Sequence, residues 1–310
     1  MESPWRSLLL SRVLQALPVL LLTITVTFFM VRLAPGDPFD NERFLPPEVQ
    51  AQLRADYNLD APLFNQYLHF LGQLATFDLG PSFRYPNRSV SEIIATGLPV
   101  TLELGLYAMS IALLVGIGAG VFSATKPYAL RDRSMMLMAL VGICVPSFVL
   151  GPLLALLFGI QWQWLPVTGW GYTPGDKILP SLTLGIGYAA YIARLTRGGM
   201  LEMFTQDFIR TARAKGLSEG RILIKHALPG GLLPVISYLG PATAGLLSGS
   251  FVIETIFQIP GLGRFFVQGA FNRDYTLIMG MTIFFAVLII LMNLLSDLLA
   301  ALIDPRQRQR

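Results

Sequence analysis

Long apolar runs alternate with short polar connections along most of this chain. A helix needs about 20 mostly apolar residues to cross a bilayer, and six runs in the sequence are candidates. They are Ser11–Val31, Leu98–Thr125, Ser134–Ile160, Ile178–Thr196, Gly230–Ile253 and Tyr275–Leu299. The pattern predicts an all-α membrane protein with six transmembrane helices.

The charges between these runs predict the orientation. With a cytoplasmic N-terminus, 15 of the 23 lysines and arginines fall on the cytoplasmic side, including a basic cytoplasmic tail at 304–310. Five of the other eight lie on the long first connection, where the positive-inside rule has little force. Both termini are therefore predicted to be cytoplasmic. The uncharged run Val13–Val31 is longer than the apolar region of a signal peptide, so 1–31 is expected to form an N-terminal tail and a retained first transmembrane helix.

The connection at 32–97 is too long to be a simple loop. Its stretches "LPPEVQAQLRADY" and "LFNQYLHFLGQL" both repeat apolar residues at helical spacing. The second stretch is predicted to place these side chains on one face: Phe64, Tyr67, Leu68, Leu71 and Leu74. We expect an external helical cap at 32–97 and a five-helix core at 98–303. The cap could cover the outer helix ends or have a dedicated binding role, and both interpretations stay open.

Composition supports a membrane protein and argues against several other classes. The chain is 53% hydrophobic and 14% charged, whereas soluble domains carry about 25% charged residues. Its net charge of +4 is spread over loops between apolar segments, which argues against a nucleic-acid partner. The single cysteine, Cys144, cannot form an intrachain disulfide, and the two histidines lack partners at metal-ligand spacing. We expect no metal site.

Three carboxylates fall in or beside the apolar runs: Glu103, Glu254 and Asp297. Acidic residues inside a membrane are functional candidates, but each of these is predicted to lie near a helix end. A proton relay through the bilayer centre therefore has no support. They are interpreted as interfacial anchors or interhelix partners, with a functional role as the alternative.

The most polar stretch of the second half is "RTARAKGLSEGRILIKHALP", from Arg210 to Pro229. Thr205 is predicted to cap a short helix with Asp207 in its first turn, and Phe208 and Ala212 are expected on one face. Gly216 is predicted to end the helix in the left-handed conformation that glycine adopts readily. Leu217 would then contact Ala212.

Ser218 is predicted to cap a second helix, with Glu219 in its first turn. The whole segment would project into the cytoplasm with a small apolar tip and basic flanks. A basic amphipathic helix on anionic lipid is the alternative. Alanine and glycine insert poorly into headgroups, however, and they suit the close approach of another protein.

This stretch resembles the EAA loop of the membrane subunits of ATP-binding-cassette (ABC) importers. Gly216 matches the glycine of that pattern, Ala212 matches its second alanine, and Leu228 and Pro229 match its final Leu-Pro. Arg210 stands where the pattern has Glu, but "FIRTARAKGLS" followed by "HAL" is the form found in the peptide-importer branch. The resemblance implies a coupling loop at about 200–229 that docks on an ATPase through these residues: Arg210, Thr211, Ala212, Arg213, Lys215, Gly216, Leu217 and Ser218.

Other segments resemble the B-type membrane subunit of bacterial oligopeptide permeases over essentially the whole chain. They include "FFMVRLAPGDPF", "FDLGPSF", "ARLTRGGMLE" and "GSFVIETIFQIPGLGRFF". The resemblance implies a type I ABC importer permease fold in the bacterial inner membrane. It also implies these partners: a homologous C-type permease subunit, two ABC ATPase subunits, a periplasmic or lipid-anchored peptide-binding protein, and membrane lipid.

This chain lacks the phosphate loop G-x-x-x-x-G-K-[ST] and every familiar catalytic constellation. We therefore expect a non-enzymatic subunit without catalytic residues or a cofactor of its own, with ATP and Mg²⁺ bound by the partner ATPases.

The segment after the fifth span holds the candidates for an outer gate: Glu254, Pro260, Gly261 and Gly263. Glu254 is hypothesised to order the turn "QIPGLGRFF", pairing with Arg264 or Arg273. The fifth span is rich in glycine and proline, for which gating motion and plain helix packing are equally open interpretations.

Three alternative functions are weighed. An importer of the same architecture could carry dipeptides, nickel or glutathione, because cargo is set largely by the binding protein. An ion-driven secondary transporter would need ionisable or broken-helix sites near the membrane midplane, which the positions of the carboxylates do not provide. A membrane-embedded enzyme would need catalytic groups that the sequence lacks.

Overall fold

The computed structural model describes residues 4–35, 48, 52, 54, 55 and 59–303 of the chain. Within these residues the secondary structure is helical, apart from one isolated bridge between Pro81 and Ser89. The predicted basic tail and most of "LPPEVQAQLRADY" lie outside the described residues. The helices are α1 Pro4–Leu33, α2 Leu63–Ala75, α3 Val90–Ala124, α4 Leu130–Cys144, α5 Ser147–Leu154, π1 Ala155–Gln161, α6 Ile178–Phe204, α7 Asp207–Ala214, α8 Glu219–Arg221, π2 Ile222–Ala227, α9 Leu228–Gly231, α10 Leu233–Ile256, α11 Leu262–Phe271 and α12 Tyr275–Ile303.

In the part of the chain that the structure describes, five helices are long and apolar enough to cross a membrane, namely α1, α3, α6, α10 and α12. The third predicted span, Ser134–Ile160, is not one straight helix, because α4 and the α5–π1 pair meet at a bend of 103°. The break falls at Val145 and Pro146. Proline has no N–H to continue a helix and forces the residue before it towards extended conformations, and Val145 is extended (φ −81°, ψ 116°). Within the described residues the count is six candidate spans if the bent pair is taken as one.

The fourth predicted span is longer than expected, since α6 continues past Thr196 to Phe204. More than half of its apolar window is buried, 56%, which is the largest fraction among the five candidate spans. A helix that is covered by protein does not need the uniform apolar surface of a lipid-facing helix. The sequence criterion therefore ended this helix too early.

The structure divides into two compact units. The first comprises residues 1–8, 101–259 and 291–310 and is organised around α6, which packs against α4, α5, α9 and α10. Gly116 and Gly120 let α3 approach α6 closely. A Cβ atom on either glycine would lie 2.6 Å from the carbonyl oxygen of Ala189 or Ala193, respectively. Small residues allow this close backbone packing in membrane helices.

The second unit comprises residues 9–100 and 260–290, so the predicted cap is joined by a segment that is distant in sequence. Phe28, Phe70 and Met279 lie at the centre of its apolar cluster. The buried face of α2 differs from the predicted one: Tyr67, Leu71 and Leu74 pack against the cluster, whereas Phe64 and Leu68 are exposed and Phe70 is buried.

Asp274 connects two distant segments of this unit. Its carboxylate accepts hydrogen bonds from the Ser82 hydroxyl at 2.5 Å and from the backbone N–H groups of Phe83 at 3.2 Å and Leu277 at 3.1 Å. One side chain thereby attaches the 82–84 loop to the first turn of α12.

Candidate functional site

The helix of the basic segment, α7, begins one residue later than predicted. Gln206 is its N-cap residue, with extended dihedral angles and no side-chain capping bond. Thr205 instead ends α6 and donates its hydroxyl to the carbonyl of Glu202 at 2.7 Å. Asp207 occupies the first turn of α7, as predicted, where a negative charge favours the helix dipole.

The end of α7 is a Schellman turn, as the sequence predicts. Gly216 has a φ of +75°, the left-handed conformation. Its N–H donates to the carbonyl of Arg213 at 2.9 Å, and the N–H of Leu217 donates to the carbonyl of Ala212 at 3.3 Å. These two bonds define the motif. The direction of the chain after α7 is therefore fixed by local sequence.

One face of α7 is packed against the bundle. Ile209 and Ala212 are buried in a cluster with Met200 of α6 and Ile222 of π2, and Leu217 packs against the same cluster. Phe208 and Ala212 lie four residues apart on α7, as predicted, but Phe208 is 48% exposed, so Ile209 and not Phe208 is the large buried side chain beside Ala212. Since the Ala212 side chain is covered by its own chain, it is not part of the surface that a partner could touch.

The opposite face of the segment is exposed and basic. Its exposed members among the predicted coupling residues are Arg210, Thr211, Arg213, Lys215, Gly216 and Ser218. Arg213 donates to Glu219 through Nε at 2.9 Å and Nη2 at 3.3 Å. This hydrogen-bonded pair raises the pKa of Arg213 and lowers the pKa of Glu219. Ser218 is the N-cap residue of α8, as predicted, but without a side-chain capping bond.

A buried ion pair that sequence reasoning missed lies in the same unit. Arg197 of α6 donates to Asp132 of α4 through Nε at 2.7 Å and Nη2 at 2.8 Å. The Ser123 hydroxyl and the Tyr128 backbone N–H also donate to this carboxylate, which therefore links α3, α4 and α6. The sequence signal was a lone Asp among basic residues and an arginine just beyond the predicted end of the fourth span. Arg197 counts only as a cytoplasmic loop charge in the sequence, and Asp132 is not among the predicted site residues.

A cavity of about 610 Å³ lies beside the basic segment. Its lining combines Thr125 at the end of α3, Phe204 of α6, and the Arg213 and Glu219 pair. The exposed face of α7 therefore continues into a groove that reaches the helix ends of the first unit.

Two of the three carboxylates, Glu254 and Glu103, have partners outside their own helices, in agreement with the favoured interpretation, which stays a prediction for Asp297. Glu254 is fully buried and accepts a hydrogen bond from the Thr101 hydroxyl at 2.8 Å. Glu103 lies further inside α3 than predicted, because the helix starts at Val90. It accepts from Lys177 Nζ at 2.5 Å and from Trp170 Nε1 at 2.9 Å.

The remaining gate candidates lie in the second unit, whereas Glu254 belongs to the first. Pro260 is exposed, and Gly261 and Gly263 are buried. Gly261 is the N-cap residue of α11. Gly97 packs against it, since a Cβ atom on Gly97 would lie 3.3 Å from the Gly261 carbonyl carbon. The pairing of Glu254 with Arg264 or Arg273 stays a prediction.

The glycines of the fifth span serve helix packing at two positions. The N–H of Gly240 donates to the hydroxyl of Ser296 on α12 at 3.1 Å. A Cβ atom on Gly245 would lie 2.5 Å from the hydroxyl oxygen of Tyr188 on α6. These contacts give the packing interpretation a specific basis at Gly240 and Gly245.

Comparisons with known proteins match nearly the whole chain. The family model "binding-protein-dependent transport system inner membrane component" matches residues 116–309, and the model of its N-terminal region matches residues 6–105. The oligopeptide transport system permease protein of Haemophilus influenzae is 48% identical over 298 residues, covering 96% of this chain and 97% of that protein. The dipeptide transport system permease protein of Bacillus subtilis is 45% identical and covers 93% of each chain.

Two solved structures are similar in fold. An inward-facing structure of the methionine ABC transporter MetNI aligns with a TM-score of 0.56 at 18% identity, covering 69% of this chain and 97% of that one. A structure of an amino acid ABC transporter aligns with a TM-score of 0.51 at 19% identity, covering 70% and 94%.

Proposed function

We propose, from the premise that this chain belongs to the family of binding-protein-dependent transport system inner membrane components, that it forms half of the translocation pathway of an ATP-driven oligopeptide importer. The chain is a multi-pass permease subunit of a peptide ABC importer in the bacterial inner membrane, and its fold is that of a type I ABC importer permease. The segment at 205–229 is the proposed coupling site to the ATPases.

The exposed basic face of α7, held on a packed base, is the observation that carries this proposal. Arg210 and Lys215 are exposed, while Ile209 and Ala212 are buried against α6 and π2. A surface that is accessible to a partner and firmly packed underneath can transmit a push to the bundle. A loosely attached loop would absorb the same displacement.

Two structural links favour transmission of such a movement to the spans. The buried cluster joins α7 to Met200 near the end of α6 and to Ala124 at the end of α3. The Asp132 and Arg197 pair then joins α6 to α4. We propose that closure of the ATPases moves α7 and α6 together and that this pair carries the motion into the bent third span.

The partners follow from the same proposal. They are a homologous permease subunit that completes the pathway, two ATPase subunits that bind ATP and Mg²⁺, and an external binding protein that delivers the peptide. This chain is proposed to contribute no catalytic group and no cofactor. Both termini would be cytoplasmic, which a reporter fused after Arg310 would test.

Two classes of peptide are candidates for the cargo. Oligopeptides are favoured by the 48% identity to the Haemophilus influenzae protein, and dipeptides by the 45% identity to the Bacillus subtilis protein. Uptake of labelled dipeptides, tripeptides and pentapeptides by the assembled importer would separate them.

The coupling role is tested at Gly216. Replacing it by alanine forces a side chain into the left-handed conformation at a cost of about 1–2 kcal/mol, although nothing lies within 4 Å of the new Cβ atom. We expect Gly216→Ala to lower peptide uptake several-fold while folding is retained. ATPase binding to the purified complex and uptake into proteoliposomes are the measurements.

Gly220→Ala is the matched control, because that position is also free of neighbours within 4 Å and has no left-handed backbone angle. Lys215→Glu adds a charge reversal on the exposed face without disturbing the buried cluster. If ATPase binding and uptake were unchanged in both Gly216→Ala and Lys215→Glu, the coupling role would be refuted.

A further inference from the structure

The second unit contains a small cavity of about 140 Å³ that the coupling function does not use. It lies where the end of α1, the middle of α2 and the loop before α3 come together. The polar side chains of Arg32, Gln66, His69 and Gln73 line it together with Phe70. His69 is exposed, so this lining extends to the surface of the unit.

Two polar atoms of these lining residues are buried from solvent and have no hydrogen-bond partner within the described part of the chain. They are Nε of Arg32, a donor, and Oε1 of Gln66, an acceptor. Gln66 is only 6% exposed, and its Nε2 is already engaged by the carbonyl oxygens of Leu59 at 3.0 Å and Ala61 at 2.7 Å. Leaving such groups unpaired costs about 1–3 kcal/mol each, so a ligand that satisfies both would bind favourably.

The cavity carries a positive charge that its lining does not neutralise. The Arg32 guanidinium lies over the rings of Phe28 at 5.6 Å and Tyr275 at 5.4 Å, which orient it. The lining contains no acidic residue among those described. Asp78 and Asp274, the described carboxylates that adjoin the lining residues along the chain, already accept backbone N–H groups from Gly80 and Phe83, respectively.

The size of the cavity limits the ligand. A volume of about 140 Å³ corresponds to roughly four or five water molecules at about 30 Å³ each. It can hold one terminal residue with its charged group, but not an extended peptide. A ligand must also offer both an anionic acceptor for Arg32 and a donor for Gln66.

We propose that this cavity binds the C-terminal residue of a peptide, whose carboxylate accepts from Arg32 and whose last backbone N–H donates to Gln66 Oε1. In a free C-terminal residue, the carboxylate and the backbone N–H are both bonded to the same Cα atom, so one residue supplies both the acceptor and the donor. The inference rests on the proposed function, because it assigns a contact to the peptide cargo. In the predicted orientation the cavity is on the external side of the membrane, where the cargo arrives.

The test compares two peptides on the purified full-length chain in lipid nanodiscs, without ATPases or binding protein. Trialanine is the probe and its C-terminal amide is the matched ligand without the charge. A hydrogen bond to a charged group contributes about 1.5–3 kcal/mol, so the free acid is expected to bind roughly tenfold to hundredfold more tightly. Isothermal titration calorimetry measures both affinities.

Arg32→Gln should abolish the preference for the acid, whereas Arg84→Gln should keep it, because Arg84 is in the same unit but does not line the cavity. A trialanine with an N-methylated last peptide bond should bind several-fold more weakly to the wild-type chain, since Gln66 Oε1 then loses its donor.

Equal binding of acid and amide by the wild-type chain would overturn the inference even if a variant failed to fold. The same conclusion would follow if Arg32→Gln kept the preference. Peptide uptake by the complete importer is measured separately. If the importer takes up peptide but the chain shows no preference for the acid, this site is rejected and the transport function is kept. If the chain prefers the acid but the importer takes up no peptide, the transport function is rejected and the site is kept.

Discussion

Two of the arginine–carboxylate pairs described in the first unit have the same chemistry but opposite surroundings. Arg213 and Glu219 are joined by two hydrogen bonds on the exposed face of the coupling segment, where their side chains are 46% and 71% exposed. Arg197 and Asp132 are also joined by two hydrogen bonds, but their side chains are 22% and 3% exposed. The first pair is six residues apart in sequence, and the second is 65 apart.

This difference distinguishes an ion pair that holds the helices together from an ion pair that can be replaced on the surface. An exposed pair gains little, because water and salt compete for both charges. A buried pair depends on both of its members, because removing one leaves an uncompensated charge without water. We infer that the Asp132 pair fixes the arrangement of α3, α4 and α6, whereas the Arg213 pair shapes a replaceable contact surface.

Breaking the buried pair gives the largest expected effect. Arg197→Ala leaves the Asp132 carboxylate with only the Ser123 and Tyr128 donors, and we expect a loss of about 3–5 kcal/mol in the free energy of unfolding. Reversible denaturation in mixed micelles measures this loss.

The control for this prediction is Arg194→Ala, which removes a charge from an exposed position on the same helix. It should change stability by less than about 0.5 kcal/mol. A double-mutant cycle with Asp132→Ala isolates the coupling energy of the pair. A coupling energy near zero would contradict the structural role given to this pair.

Removing a neutral hydrogen-bond donor from a buried carboxylate should have an intermediate effect on the free energy of unfolding. Thr101→Val preserves the shape of the side chain but removes the hydroxyl that donates to Glu254. The carboxylate loses one donor in a fully buried position, and we expect a cost of about 1–3 kcal/mol. Thr101→Ser, which keeps the donor, should lose less. Equal stability of the valine variant and the wild type would show that Thr101 does not support Glu254.

The exposed pair should give the smallest effect, and its pH dependence has a defined sign. The hydrogen bond from Arg213 lowers the folded-state pKa of Glu219. A lowered carboxyl pKa contributes stability above the unfolded-state pKa of about 4.3, and that contribution is lost as the pH falls through the folded-state value. Arg213 has a raised pKa, so its contribution would be lost only in strong alkali. Between pH 6 and 8 both contributions are present, so Glu219→Gln should lower the melting temperature only slightly, because the pair is exposed, and by the same amount throughout that range. A clear drop in that range would place this pair among the structural ones.

Some features of the candidate site followed from local sequence. The Schellman turn at Gly216 could be predicted because a glycine after a short polar helix is sufficient for the left-handed conformation. The burial of Ile209 in place of Phe208 could not, since the direction of α7 depends on where α6 and π2 lie. The bend at Pro146 could have been predicted from local sequence, because proline restricts its own backbone and that of the residue before it.

The sequence by itself determined the class of the protein, its membrane-spanning helices and the polar segment that interrupts them. These properties depend on hydrophobicity and spacing along the chain, which need no knowledge of neighbours. Only the tertiary structure decided that Asp132 meets Arg197, that Ala212 turns inward, and that Arg32 and Gln66 line one cavity. Each of these results from contacts between residues that are distant in sequence, and such contacts are set by how the helices pack.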